Sequence, residues 1–219
     1  MSKQFETYEQ AWQRRRSLRG EVDFTMMYVA HDAFTRDLRR MAKASERAQS
    51  ISPAVLTGWA TFARQLHIHH TAEDEALWPP LRAKVSTPEE VVVLEEMEIE
   101  HSHIEPLLGR IDESLGTHDT VTLLNAVQAL EAALTAHMRH EEDDALPLVA
   151  KYLGPGGWKA FGGYFRKTLG LRGGAEFFPW LLDEAPEVTR SHVLRRFPPP
   201  VRLLYRRVWA RRYARTPRW

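Results

Sequence analysis

No cysteine occurs in the 219 residues of the chain, and that absence excludes disulfides, thiolate metal ligands, iron–sulfur clusters and a cysteine nucleophile. Long apolar runs are missing as well: nothing approaches the roughly 18 apolar residues that a membrane-spanning helix needs. The opening MSKQFETYEQAWQRRR also lacks the apolar centre of a secretory signal. A cytoplasmic location is therefore the default expectation. Net charge is small, +1, but the near-neutrality averages two unlike segments. Residues 1–150 carry 15 basic and 25 acidic side chains, net −10, whereas residues 151–219 carry 15 and 4, net +11. With 43% hydrophobic and 10% aromatic residues, a disordered chain is excluded and one sizeable core is expected. Any metal chemistry must use histidine and carboxylate, and ten histidines are present for it.

Phe24, Met27, His31, Phe34, Leu38 and Met41 recur at spacings of three and four, which predicts a helix from Asp23 to about Arg47. Ser52-Pro53 reads as the cap and first position of a second helix, with the stripe Trp59, Phe62, Leu66, His69, Glu73 and Leu77. Thr87-Pro88-Glu89-Glu90 predicts a capping box for a third helix, striped by Leu94, Met97, His101, Leu108 and Ile111 and ended by Gly116. The fourth begins near Thr117–Thr120, carries Leu123, Val127, Leu130, Leu134, His137 and Glu141, and ends around Tyr152–Gly154. Short connections make successive helices antiparallel, so residues 1–153 are expected to form an all-α, up-down-up-down four-helix bundle. Residues 154–219 differ. Glycines cluster at 154–157, 162–163 and 173–174, and Pro198-Pro199-Pro200 follows. This predicts a mostly helical, glycine-broken extension ending in an amphipathic helix over about 201–215.

The second and fourth helices repeat one pattern. His69, Glu73 and Pro79 stand at offsets 0, 4 and 10, as do His137, Glu141 and Pro147, with 68 residues between the copies. His31 and His101 precede the two motifs by 38 and 36 residues, so the bundle reads as two related hairpins around a pseudo-twofold axis. Residues i and i+4 share a helix face, so each His-x3-Glu offers an imidazole and a carboxylate to one point inside the bundle. A carboxylate buried alone is heavily penalised, and one bound to a cation is not. Two such pairs plus one histidine from each other helix supply six donors, too many for one tetrahedral zinc and suited to two adjacent ions bridged by carboxylates. Nitrogen and oxygen donors without sulfur suit iron or manganese. Glu105 is a seventh candidate because His101-x3-Glu105 repeats the spacing, although Pro106 follows it and threatens a kink. A single histidine on an apolar stripe is more often a hydrogen-bonded core residue than a ligand; here all four helices carry one. The remaining histidines, His67, His70, His103, His118, His140 and His192, fall off the stripes or outside the bundle and read as surface or supporting groups. His70 and Tyr28 are the nearest rivals for the place given to Glu105.

HDAFTRDL, HHTAEDEALWPPL, EHSHIEPLL and HMRHEEDDALPLV together resemble the hemerythrin-like, or HHE cation-binding, family over roughly residues 20–153. The resemblance implies a four-helix bundle holding two iron ions, oxo- or hydroxo-bridged, that meet O2 or its reduced products. Carried over by position, the ligands are His31, His69, Glu73, His101, His137 and Glu141, with the two glutamates as bridges. Oxygen-carrying members use two histidines four apart on the third helix; this chain has Met97 at the earlier position and Glu105 after His101, which argues against reversible O2 carriage. The basic extension resembles extensions of actinobacterial members. The leading expectation is a di-iron protein that binds O2, peroxide or nitric oxide and decomposes hydrogen peroxide. The alternatives are an iron- or O2-sensing module without turnover, and an oxidase or oxygenase of an organic substrate with the extension as lid or pocket. Ten arginines and no acid from Thr189 onward raise nucleic acid, a membrane surface or a protein partner as contacts of the extension. The preferred expectation is packing on the acidic bundle, which neutralises both and requires no nucleic acid.

Overall fold

The computed structural model describes residues 7–18, 20–47 and 51–219; the first six residues, read above for a signal, lie outside the described residues. Four long helices form the bundle. In chain order the elements are α1 (Tyr8–Ser17), α2 (Thr25–Arg47), α3 (Pro53–Ala76), a short α4 (Trp78–Arg82), α5 (Pro88–Thr117) and α6 (Thr120–His140). Contacts α2–α3, α3–α5, α5–α6 and α6–α2 close the ring of four, and no strand occurs among the described residues.

The helix ends follow local chemistry. Ser52 accepts from the Val55 N–H ahead of Pro53, and Asp119 accepts from Val121 and Thr122 to start α6. Thr87 accepts from the Glu90 N–H, but only half of the expected capping box forms. The Glu90 carboxylate instead takes Lys151 Nζ at 2.6 Å and Tyr152 OH at 2.6 Å, which tie the end of the fourth helix to the start of α5 and hold the carboxyl down to about 2. Gly116 does not end α5 as expected. The helix continues to Thr117, and His118 takes the left-handed cap with φ 58°. Pro106 is carried inside α5. Helix α1, which carries no apolar stripe, is set by a capping box in which Thr7 and Gln10 exchange bonds of 3.2 and 2.8 Å.

Beyond His140 the fourth helix widens into π-turns at Glu141–Ala145 and Val149–Leu153 on either side of α7 (Leu146–Leu148), and Gly154, at φ 58°, turns the chain away. The extension is helical, as expected. It consists of α8 (Gly154–Leu181), bent at Gly170 where φ is 57°, then α9 (Glu187–Arg195), α10 (Pro199–Leu204) and, after a π-turn, α11 (Ala210–Ala214). One apolar cluster joins it to the bundle: Phe34, Phe62 and Leu130 pack in the same core as Phe177, Trp180, Leu194 and Trp209. Trp180 is fully buried, lies 5.0 Å from the Phe34 ring and donates its indole N–H to Asp37 at 2.8 Å. Arg36 of α2 donates to the carbonyls of Trp180 and Asp183 at 2.9 and 2.8 Å, satisfying acceptors that the end of α8 leaves open.

The expected neutralisation takes a different form. Asp23 with Arg196 is a pair of the anticipated sense, yet several contacts reverse it, with bundle arginines meeting the few acids of the extension: Arg40 with Asp183 at 2.7 Å and Arg64 with Glu176 at 2.9 Å. The joint is apolar with short local pairs, because exposed charges a Debye length apart are screened. Among the described residues no helix is long and apolar enough to cross a membrane. Trp180→Ala should cost about 3–5 kcal/mol in urea unfolding, since it empties a packed site and strips Asp37 of a donor; a loss below about 1 kcal/mol would place the extension outside the cooperative core.

Candidate metal centre

On α3, at about 100° per residue, Glu73 lies about 40° from His69 on one side and about 60° from His70 on the other. The two imidazoles therefore flank a central carboxylate. On the fourth helix the π-turn brings consecutive residues inward together: Glu141 is 0% exposed and Glu142 1%. From α2 and α5 come His31 and His101, both buried. The donor atoms of His70, Glu73, His101 and His137 lie within 4.8 Å of one another, and so do those of His31, His69 and Glu141. Glu73 reaches both groups, at 3.1 Å from His69 Nε2 and 3.7 Å from His101 Nε2. Glu141 stands 3.0 Å from His31 Nε2.

Carboxylates grip the far nitrogens. His31 Nδ1 meets Glu142 at 2.8 Å, His101 Nδ1 meets Asp74 at 2.9 Å, and His137 Nδ1 meets Glu100 at 2.8 Å. A carboxylate can only accept, so each Nδ1 carries the proton, and Nε2 is the nitrogen left to offer a lone pair inward. His101 Nε2 and His137 Nε2 then face each other at 3.1 Å as two lone pairs, an arrangement that calls for a cation between them. The same demand appears in the unpaired atoms. Nε2 of His31, His69 and His70 and all four carboxylate oxygens of Glu73 and Glu141 are buried without a hydrogen-bond partner. Unsatisfied polar groups in such a concentration cost several kcal/mol unless a ligand takes them.

Protonation equilibria divide the donors: three imidazoles are kept free of the proton that would block a cation, whereas Glu73 and His31 hold protons that a cation would displace. Burial, together with the charge of neighbouring imidazoles, pushes His69 and His70 far below the ordinary range, and burial lowers His137 against the pull of Glu100. Burial and the facing Glu141 raise Glu73 well above the usual carboxylate range. His31 goes the other way: burial is outweighed by Glu141 and Glu142, and it rises to about 9. Glu142 is buried too, yet His31 and Arg15 hold it far below the carboxylate range.

Arg15 comes from α1. It donates to both oxygens of Glu142, at 2.9 and 2.6 Å, and to Asp32 at 2.8 Å, and lies 4.9 Å over the Tyr28 ring. Arg14 adds a bond to Glu142 at 2.7 Å. Six of the seven residues expected from sequence, His31, His69, Glu73, His101, His137 and Glu141, meet here. Glu105 does not; it is exposed on α5, and the buried stripe of Met97, His101, Ile104 and Leu108 is centred about 70° away from it around the helix. His70 enters instead, stacked 4.0 Å from the His101 ring. Its signal was its place beside Glu73, three residues back. Tyr28 lies under Arg15.

A family model for the hemerythrin HHE cation binding domain matches residues 22–149, more than half of the chain. The chain belongs to the hemerythrin HHE family. No curated protein and no solved structure matches it. All seven grouped donors of this HHE domain lie inside the matched span, whereas α1 and the extension lie outside it. The clamp on Glu142 is thus supplied to the HHE bundle from beyond its own four helices. Arg15→Met should destabilise the protein by about 3–5 kcal/mol in denaturant unfolding, because it leaves a buried carboxylate short of its charge partner. Combined with Glu142→Gln the loss should be far from additive; strict additivity would mean the two side chains do not act as a unit.

Proposed function

We propose that this HHE domain holds two iron ions and decomposes hydrogen peroxide, with O2 and nitric oxide as further small ligands of the centre. His70, His101 and His137 would hold one ion, His31 and His69 the other, with Glu73 and Glu141 shared. The donor set supports iron or manganese, since it is all imidazole and carboxylate. Two adjacent irons supply a two-electron couple that can reduce one peroxide to water and oxidise the next to O2.

The observation that carries the peroxide reading is the outer layer of carboxylates. Glu142, Asp74 and Glu100 each hold the Nδ1 proton of a donor histidine, which strengthens that imidazole as a donor and favours the oxidised ion over a ferrous O2 carrier. Glu100 also accepts from His140 Nδ1 at 2.9 Å, so one carboxylate joins a buried donor histidine to a partly exposed one and gives the His137 proton a hydrogen-bonded route outward. Phe34, 5.2 Å from the His69 ring, and Phe62 behind it keep water from the bundle side.

Purified protein is expected to contain two irons per chain, and His70→Met to fall below two while Glu105→Ala keeps both. Removing iron with a chelator should lower the melting temperature by about 5–10 °C, the equivalent of roughly 2.7 kcal/mol at a hundredfold excess over Kd. Peroxide added to the iron-loaded protein should release one O2 for every two peroxides consumed, and Glu142→Gln should slow it. A single tightly held zinc, or a long-lived reversible oxy form with no O2 release from peroxide, would overturn this reading.

A further inference from the structure

A cleft of about 840 Å³ opens beside the metal centre, between α1, α2, α6 and the turn from α8 into α9. It falls within the usual range for small-molecule sites, about 300–1,000 Å³. His31 and Glu142 form part of its wall, and Tyr8 OH meets Thr189 Oγ1 at 3.2 Å on its rim. Alanines at 33, 132 and 136 leave the space open.

Two donors lining this cleft are buried and have no partner: Arg36 Nη2 and Thr135 Oγ1. Arg36 is fixed by its other nitrogens, Nε on Asp37 at 2.8 Å and Nη1 on the carbonyls of Trp180 and Asp183, so Nη2 is left over by geometry. Thr135 contrasts with three other helical threonines. Thr57, Thr61 and Thr117 each donate to the carbonyl four residues back, at 2.8, 2.8 and 3.0 Å, which is the common fate of a threonine inside a helix. Thr135 makes no such bond. Leaving both donors unsatisfied is costly, and a ligand oxygen removes the cost. Of the five acids lining the cleft, four are engaged, Asp32 by Arg15 and Trp12, Glu142 by Arg14, Arg15 and His31, and Asp183 and Glu184 by Arg40, and the fifth, Glu131, lies in the field of Arg39. The unspent donor belongs to a guanidinium, whose strongest partner is an anionic oxygen.

We propose that this cleft binds a small organic carboxylate, its acidic oxygens taking the Arg36 and Thr135 donors and its apolar body lying over Ala33, Ala132 and Met138 toward His31. The site stands on the protein's own donors and walls, independently of which ions the centre holds. Calorimetric titration of the full-length, metal-loaded chain tests it, with 2-naphthoate as probe and 2-naphthamide as its neutral match. Naphthoate should bind one to one, and naphthamide at least tenfold more weakly. Thr135→Val, which keeps the shape and removes the hydroxyl, should weaken naphthoate about 5- to 10-fold. Ala132→Phe should fill the cleft and abolish binding; if that variant misfolds, Thr135→Val still decides. Absence of saturable heat at millimolar naphthoate, equal binding of the amide, or unchanged binding in Thr135→Val or a folded Ala132→Phe would overturn the assignment. Because binding is read as heat, failure here leaves the peroxide reading standing, and failure of peroxide turnover leaves this one standing.

Discussion

Two carboxylates, Glu73 and Glu141, face each other in the centre of the bundle, both 0% exposed and without a single hydrogen bond. No apolar core tolerates that pair uncompensated, so the rest of the structure is arranged around the positive charge it requires. Placing Glu141 inward through a π-turn drags Glu142 inward with it. Glu142 then needs its own counterion, and no bundle helix provides one in full; His31 takes one oxygen, and Arg14 and Arg15 of α1 take the rest. Helix α1 is in this sense a consequence of the metal site. Its packing follows the same line, with Trp12 donating to Asp32 and Arg15 covering Tyr28.

Periodicity reads most of this from sequence because a bundle core and a metal site obey the same rule of one face per helix. The stripes of α2, α3, α5 and α6 marked His31, His69, Glu73, His101, His137 and Glu141, which the fold brings together, and Ser52 and Thr87 marked helix starts. The misses have physical causes. Glu105 satisfied the i, i+4 spacing from His101, but spacing relates two residues to each other and not to the centre of the stripe, and the stripe turns away from it. His70 falls off the stripe because it sits at its edge, on the far side of Glu73 from His69. Glu142 stands in the acidic run 141–144 off the stripe of the fourth helix, and the π-turn, invisible to a period of 3.6, brings it inside beside Glu141. Helix α1 showed no stripe because it contacts the bundle mainly through arginines and one tryptophan.

Charge was the least faithful guide. A segment of net +11 beside one of net −10 suggested broad attraction, whereas the joint is made by Phe177, Trp180 and Trp209 in a shared core and by Arg36 closing the end of α8. Net charge describes solubility and long-range steering, and packing decides where two segments meet. Most extension arginines therefore remain on the outside, and Arg196, which pairs with Asp23, is the exception that reaches the bundle among the described residues.

The internal duplication explains how one bundle serves an asymmetric site. At the 68-residue offset, His69, Glu73 and Pro79 match His137, Glu141 and Pro147, so the carboxylates and one imidazole of each half are conserved by construction. His70, however, matches Met138, and its imidazole goes entirely to the group with His101 and His137. The group with His31 and His69 is poorer by one nitrogen, and it is the one whose His31 borders the cleft. The same offset maps Ala132, Thr135 and Ala136 onto Arg64, His67 and Ile68. On α3 those larger residues fill the outer face, and Arg64 reaches Glu176 of α8. On α6 the small residues leave a recess instead. Met138 in place of His70, and small residues in place of bulk, both line the cleft, so the two departures from symmetry form a single feature: the donor group with fewer imidazoles is also the one bordered by room for a molecule.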